Sequence, residues 1–173
     1  DAEFDELART KEEAHYLKTW HWFYRMSMAG RTLQDYKTVM WSMAKVRVTD
    51  ILKKEITFHV GAVTVNSTLG KVFTSEKAVA ILLRWHVFRP SHVVHDDYEK
   101  ITPIIQQAIN GTAGVNWSGA VSSWGDAHET ALTAKLLAAA AVINSTITTS
   151  INFGANQPQG SVRTGRNTFV LEV

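Results

Sequence analysis

Apolar residues recur at intervals of three and four in five separate segments of this chain, and the interval drops to two at one internal stretch, between Ile56 and Val65. An interval of three to four places side chains along one side of an α-helix, whereas an interval of two places them on one face of a strand. The chain is therefore expected to be mainly α: a helical bundle of about five helices with a small β-hairpin over residues 56–73 and an extended C-terminal tail.

The first helical run, Phe4 to Met28, carries Phe4, Leu7, Ala14, Leu17, Trp20, Tyr24 and Met28, with Thr10 and Glu13 as a capping box and Gly30 as its end. The second carries Leu33, Tyr36, Val39, Met40 and Met43 inward as far as about Arg47. Ile56, Phe58 and Val60, then Val63 and Val65, have the strand period, and Val72 and Phe73 are expected to supply a return strand after the bends at Asn66 to Gly70. Thr74 offers a cap to a helix from Ser75 to Arg89 that buries Val79, Leu82, Leu83 and His86, and Pro90 stops it. Ile101, Ile104, Ile105 and Ala108 mark the next helix, with Pro103 in its first turn and Asn110-Gly111 at its end. Residues 111–125 read as a Gly- and Ser-rich loop pinned by Trp117 and Trp124. Asp126 and Glu129 then cap the longest helix, through Leu132, Leu136, Leu137, Ala140, Ile143 and Ile147.

These segments form one helical domain over residues 1–152, of a length that sustains its own core. The remainder, residues 153–173, alternates Phe169, Leu171 and Val173 after a stretch of Gly, Pro and Arg, and lacks the apolar density to fold alone. It must dock, on its own domain or on a neighbouring subunit, where Arg163, Arg166, Phe169 and Leu171 would make the contact. Addition as a strand by Thr168 to Val173 is the expected mode, and a neighbouring subunit the expected host.

The chain has no cysteine, which excludes disulfides, thiol nucleophiles, iron–sulfur ligation and cysteine zinc sites. No apolar run reaches the roughly 20 residues of a membrane span. Net charge is only +2, yet Lys18, Arg25, Arg31, Lys37, Lys45, Arg47, Lys53 and Lys54 meet only Asp35 and Asp50 over one stretch, balanced by the acidic start of the chain. Trp20, Trp22, Phe23, Tyr24, Tyr36 and Trp41 are threaded through the same stretch. Cations interleaved with aromatics suit a polyanion: the cations neutralise phosphates and the rings offer stacking surface. Lys18, Arg25, Arg31, Lys37, Lys45 and Arg47 are the candidate nucleic-acid contacts, and Lys11, Lys18 and Arg25 lie seven apart, along one helical stripe.

Other constellations carry less. His92, His95, Asp96 and Asp97, with His86, have the residue types of a metal site but not the zincin spacing. Glu12 and His15 are half of a di-metal helical motif that has no second half here. Ser122, Ser123, Asp126 and His128 hold the types of a nucleophilic triad without the strained turn such a nucleophile needs. Residues 111–119 carry neither a P-loop lysine nor a dinucleotide fingerprint, so no cofactor is expected. Asn66, Asn110, Asn116 and Asn144 head Asn-x-Ser/Thr triplets, the acceptor pattern of secreted proteins.

The expectation is a non-enzymatic structural subunit that forms homo-oligomers and packs nucleic acid without reading its sequence, in a virion or nucleoprotein filament. An extracellular filament or surface protein without nucleic acid is the first alternative. A metal-dependent hydrolase using His92, His95 and Asp96 is the second.

Overall fold

The computed structural model describes residues 20–143 and 162–171. Its contacts divide the chain into two compact units, Asp1–Lys45 and Val46–Val173, the second of which includes the C-terminal segment.

The helices begin with α1, Trp20–Thr32, and α2, Gln34–Lys53. Gly30 does not end α1. Backbone bonds Leu33 N–H to Ala29 O (2.9 Å) and Lys37 N–H to Leu33 O (3.2 Å) carry the ladder past Leu33, so a glycine without a following left-handed residue costs the helix little more than its entropy. Of the apolar residues expected to point inward here, only Tyr36 is even half-buried. Leu33, Val39, Met40 and Met43 are 57%, 58%, 48% and 54% exposed, and burial begins only at Val48 and Ile51.

Strands β1, Glu55–Val60, and β2, Val63–Thr68, pair antiparallel with Val60 opposite Val63 and Glu55 opposite Thr68. The two-residue turn works because Gly61 takes φ 60°, a conformation that suits the twist of the flanking strands and is open to glycine. Ile56 and Phe58 face the core while Glu55, Thr57 and His59 face out, as the alternation requires. The return strand is Val63–Thr68 alone. Val72 and Phe73 belong instead to the short helix α3, Leu69–Val72, and its exit, where Leu69, Val72 and Phe73 stack at the helical intervals of three and four and are wholly buried. α3 sits so close to the end of α2 that a Cβ on Gly70 would lie 3.0 Å from the Leu52 carbonyl oxygen, which is why glycine stands there.

Helix α4, Glu76–Phe88, starts from Ser75, whose hydroxyl accepts from the Ala78 N–H at 3.1 Å; Ser75, not Thr74, is the cap. It buries Ala78, Val79, Ile81, Leu82, Trp85 and His86. The short α5, Ser91–Val94, follows directly from Pro90. Helix α6, Ile101–Gly111, has Pro103 in its first turn, and the Glu99 carboxylate accepts from the Ile101 and Thr102 amides there. A 3-10 turn at Val121–Ser123 precedes α7, Asp126–Ile143.

Among the described residues the main buried cluster runs from Ile51 to Ala140 and joins Ile56 and Phe58 of β1, Trp85 of α4, Ile105 of α6 and Leu132 and Leu136 of α7. Each fully buried aliphatic or aromatic side chain there contributes about 1.5–3 kcal/mol of transfer free energy. α6 packs on both α7 and β1. The Gln106 side chain accepts from the His59 N–H at 2.9 Å and donates to its C=O at 3.0 Å, which covers part of the outer edge of β1 as a third strand would.

Candidate nucleic-acid interface

The cationic stretch falls on α1 and α2. Lys37, Trp41 and Lys45 stand four apart and so form one line along α2. The Lys45 ammonium lies 5.9 Å from the Trp41 ring centre, and the Arg25 guanidinium 5.0 Å from that of Trp22. Such cations gain from the ring quadrupole. Gly30, Tyr36, Lys37, Met40 and Trp41 line an open groove beside this line. Among the described residues Arg31, Lys37 and Arg47 are exposed and enter no salt bridge. Trp22 and Trp85 are buried, whereas Trp41 is 63% exposed. Lys18, Lys11 and the Glu12–His15 pair lie outside the described residues. Apolar side chains occur all round α2 rather than on one stripe, so a single covering surface does not satisfy it.

The described part of the tail, residues 162–171, makes no strand and adds to no sheet edge. It docks on its own chain through side chains and through two backbone bonds, Lys77 N–H to Arg163 O and Phe169 N–H to Thr74 O. The Arg166 guanidinium reaches Glu129 Oε2 at 2.8 Å, with side-chain exposures of 5% and 0%. It also donates to the carbonyls of Val72 (2.9 Å), Lys71 (2.8 Å) and Val121 (3.1 Å). The other Glu129 oxygen accepts from the backbone N–H of Thr74 (3.0 Å) and of Ser75 (2.8 Å), so this buried carboxylate is fully paired. Around this pair, the Arg166 N–H donates to Asp126 Oδ1 at 2.7 Å and the Phe169 N–H to the Thr74 carbonyl at 2.9 Å. Arg163 forks onto Glu76, whose carboxyl is held below its usual range by those hydrogen bonds. Asn167 turns the chain at φ 59°, a left-handed conformation that asparagine tolerates better than most residues.

Asp126 and Glu129 therefore do not form a local cap; they hold the tail. One signal for this was present. Glu129 shares a helical column with Leu132, Leu136 and Ala140, and a carboxylate on an apolar column requires a cation brought from elsewhere. Leu171 is half-buried and Phe169 is held by its backbone.

The histidines do not converge. His92 Nδ1 faces the Trp85 indole N–H at 3.4 Å, His95 Nδ1 accepts from the Asp97 amide at 3.2 Å, and Asp96 is paired with Lys54. No three His, Asp or Glu side chains among the described residues are grouped to hold a metal ion. Ser123 donates to the Ala120 carbonyl at 2.7 Å, not to His128. His128 Nδ1 accepts from the Gly125 N–H at 3.1 Å, so its proton sits on Nε2 and goes to the Asn116 carbonyl at 2.8 Å. Stacked on Trp124 and edge-on to Trp117, His128 closes the loop that both tryptophans pin. Of the glycosylation triplets, Asn66, Asn110 and Asn116 are exposed and Asn144 lies outside the described residues.

The chain is mainly helical with one antiparallel hairpin, and among the described residues no helix is long and apolar enough to cross a membrane. Compared with known protein families, curated proteins and solved structures, it matches none.

One buried histidine, His86, and one half-buried histidine, His92, are expected to make the fold sensitive to acid. Burial, reinforced by Arg47, holds His86 below its ordinary pKa, against a smaller opposing effect of Asp50. Burial together with Arg89 and Lys100 does the same for His92. The unfolded chain then binds protons first as pH falls, so this stability is complete above about pH 6.5 and is lost below it. Denaturant titrations at pH 7.5, 6.5 and 5.5 are expected to show falling stability, by at most about 1.4 kcal/mol per pH unit for each histidine. His86→Leu is expected to flatten the slope, and an unchanged slope in that variant would refute the assignment.

Proposed function

We propose that this chain is a structural, self-assembling subunit of coat or nucleocapsid type that packs nucleic acid independently of sequence. The observation that carries this reading is the surface of residues 24–47. Tyr24, Leu33, Val39, Trp41 and Met43 of the first unit are all more than half exposed, and its cations Arg25, Arg31 and Lys37 are exposed too; Val46 and Arg47, which follow on in the sequence, are likewise exposed. Isolated exposed apolar residues are ordinary, but this many on two consecutive helices require a covering surface. Phosphates suit the cations and stacked bases or neighbouring copies suit the rings and methionines. Lys18, Arg25, Arg31, Lys37, Lys45 and Arg47 neutralise the backbone of the nucleic acid, and the apolar residues between them meet adjacent subunits. A virion or nucleoprotein filament is the setting in which both demands are met at once.

The test is the size of the native protein with its absorbance ratio at 260 and 280 nm. Large particles carrying nucleic acid are expected. Particles without nucleic acid, with glycans on Asn66, Asn110 or Asn116, would move the reading to an extracellular filament, and a discrete monomer free of nucleic acid would end both.

A further inference from the structure

Residues 163–169 hold to the second unit through the first turns of α4 and α7 and through the carbonyls of Lys71, Val72 and Val121. None of them belongs to the hydrophobic core, whose members run from Ile51 to Ala140. That core is complete without the segment, which is the condition an exchangeable element must meet. The receiving socket is not complete without it. Glu129 is wholly buried, and a buried carboxylate stripped of its guanidinium is strongly destabilising. Occupancy is thus demanded, while the copy that supplies the occupant is left open, because identical contacts form either way.

Chain length permits the exchange. α7 has 18 residues, about 27 Å of helix, and its first turn carries Asp126 and Glu129. The 18 residues numbered 144–161 must return the chain over that length. Their greatest reach is about 60 Å, more than twice what the return needs.

We infer that in the assembled state residues 163–169 of one copy fill the socket of a second copy, tying successive subunits through the Arg166–Glu129 and Arg163–Glu76 pairs. The inference rests on the self-assembling reading above and names how the subunits are joined. Plug and socket are different surfaces, so the contact is heterologous and propagates into a ring or filament.

The chain lacks cysteine, so engineered thiols are the only ones present. Full-length Glu76→Cys and Arg163→Cys chains would be mixed, assembled, and treated with a short bis-maleimide. Joined dimers from the mixed particles, absent from unassembled protein, are the expected result. The double variant should give a ladder of joined chains. Thr74→Cys with Asn167→Cys repeats the test on a second contact, should loss of the Glu76–Arg163 pair impair folding. Particles that form but yield only chains closed on themselves would overturn the exchange and leave assembly standing. Failure of the unmodified chain to form particles under any condition would overturn both.

Discussion

Replacement of Arg166 by alanine is expected to lower the unfolding free energy of the full chain by about 3 kcal/mol, the cost of leaving a buried charge without its partner. Glu129 has no exposure to solvent, and Arg166 is its only cationic partner among the described salt bridges. The substitution also strands the carbonyls of Lys71, Val72 and Val121 that the guanidinium serves. Arg166→Lys is expected to recover less than half, since an ammonium cannot reproduce the planar fork. Glu129→Gln should be milder than Glu129→Ala because its amide oxygen can still accept from Thr74 and Ser75. A double replacement of both residues by leucine or methionine should cost less than the sum of the single changes, with a coupling of about 1–3 kcal/mol. Urea unfolding at pH 7 measures all of these. A change below about 0.5 kcal/mol in Arg166→Ala would mean that the segment is not seated in solution.

The second large effect concerns binding. Conversion of Arg25, Arg31, Lys37, Lys45 and Arg47 to glutamine is expected to reduce the slope of log K against log salt for duplex DNA by about 4 to 5, at roughly 0.9 for each phosphate no longer neutralised. Between 50 and 200 mM salt, affinity should then fall only about 3- to 4-fold, the share of the remaining Lys18, whereas scrambling the DNA sequence should change little in either protein. Arg31, Lys37 and Arg47 are exposed and enter no salt bridge among the described residues, so each substitution should alter stability by no more than about 0.5 kcal/mol. Neutralising Arg84, Arg89 and Lys100, exposed cations of the second unit, provides the control and should leave the slope near its original value. Equal effects from the two sets would reduce the Lys18–Lys54 stretch to an ordinary solvated surface.

Much of the fold was legible because local periodicity is a local cause. The alternation of Ile56 and Phe58 with Thr57 and His59 states a half-buried strand, and Ile101, Ile104, Ile105 and Ala108 state a helix, with no reference to the rest of the molecule. The errors came where two local readings competed. Val72 and Phe73 look like strand residues, but with Leu69 they also fit one helical turn, and the close approach to Leu52 at Gly70 selected the helix. In α2, helical spacing correctly announced a helix and wrongly announced burial. Periodicity says which side chains share a face; it does not say what, if anything, covers that face.

The sequence by itself determined the helical class, the hairpin, the absence of cysteine chemistry and the concentration of cations and aromatics before residue 54. Each of these depends on composition or on neighbours within a few positions. Only the tertiary structure decided that Glu129 is a buried receiver for Arg166, that His92, His95 and Asp96 do not converge, and that Trp41 is exposed while Trp85 is enclosed. Those facts join residues distant along the chain, and charge, spacing and residue type carry no record of which distant groups the packing brings within about 3 Å of one another.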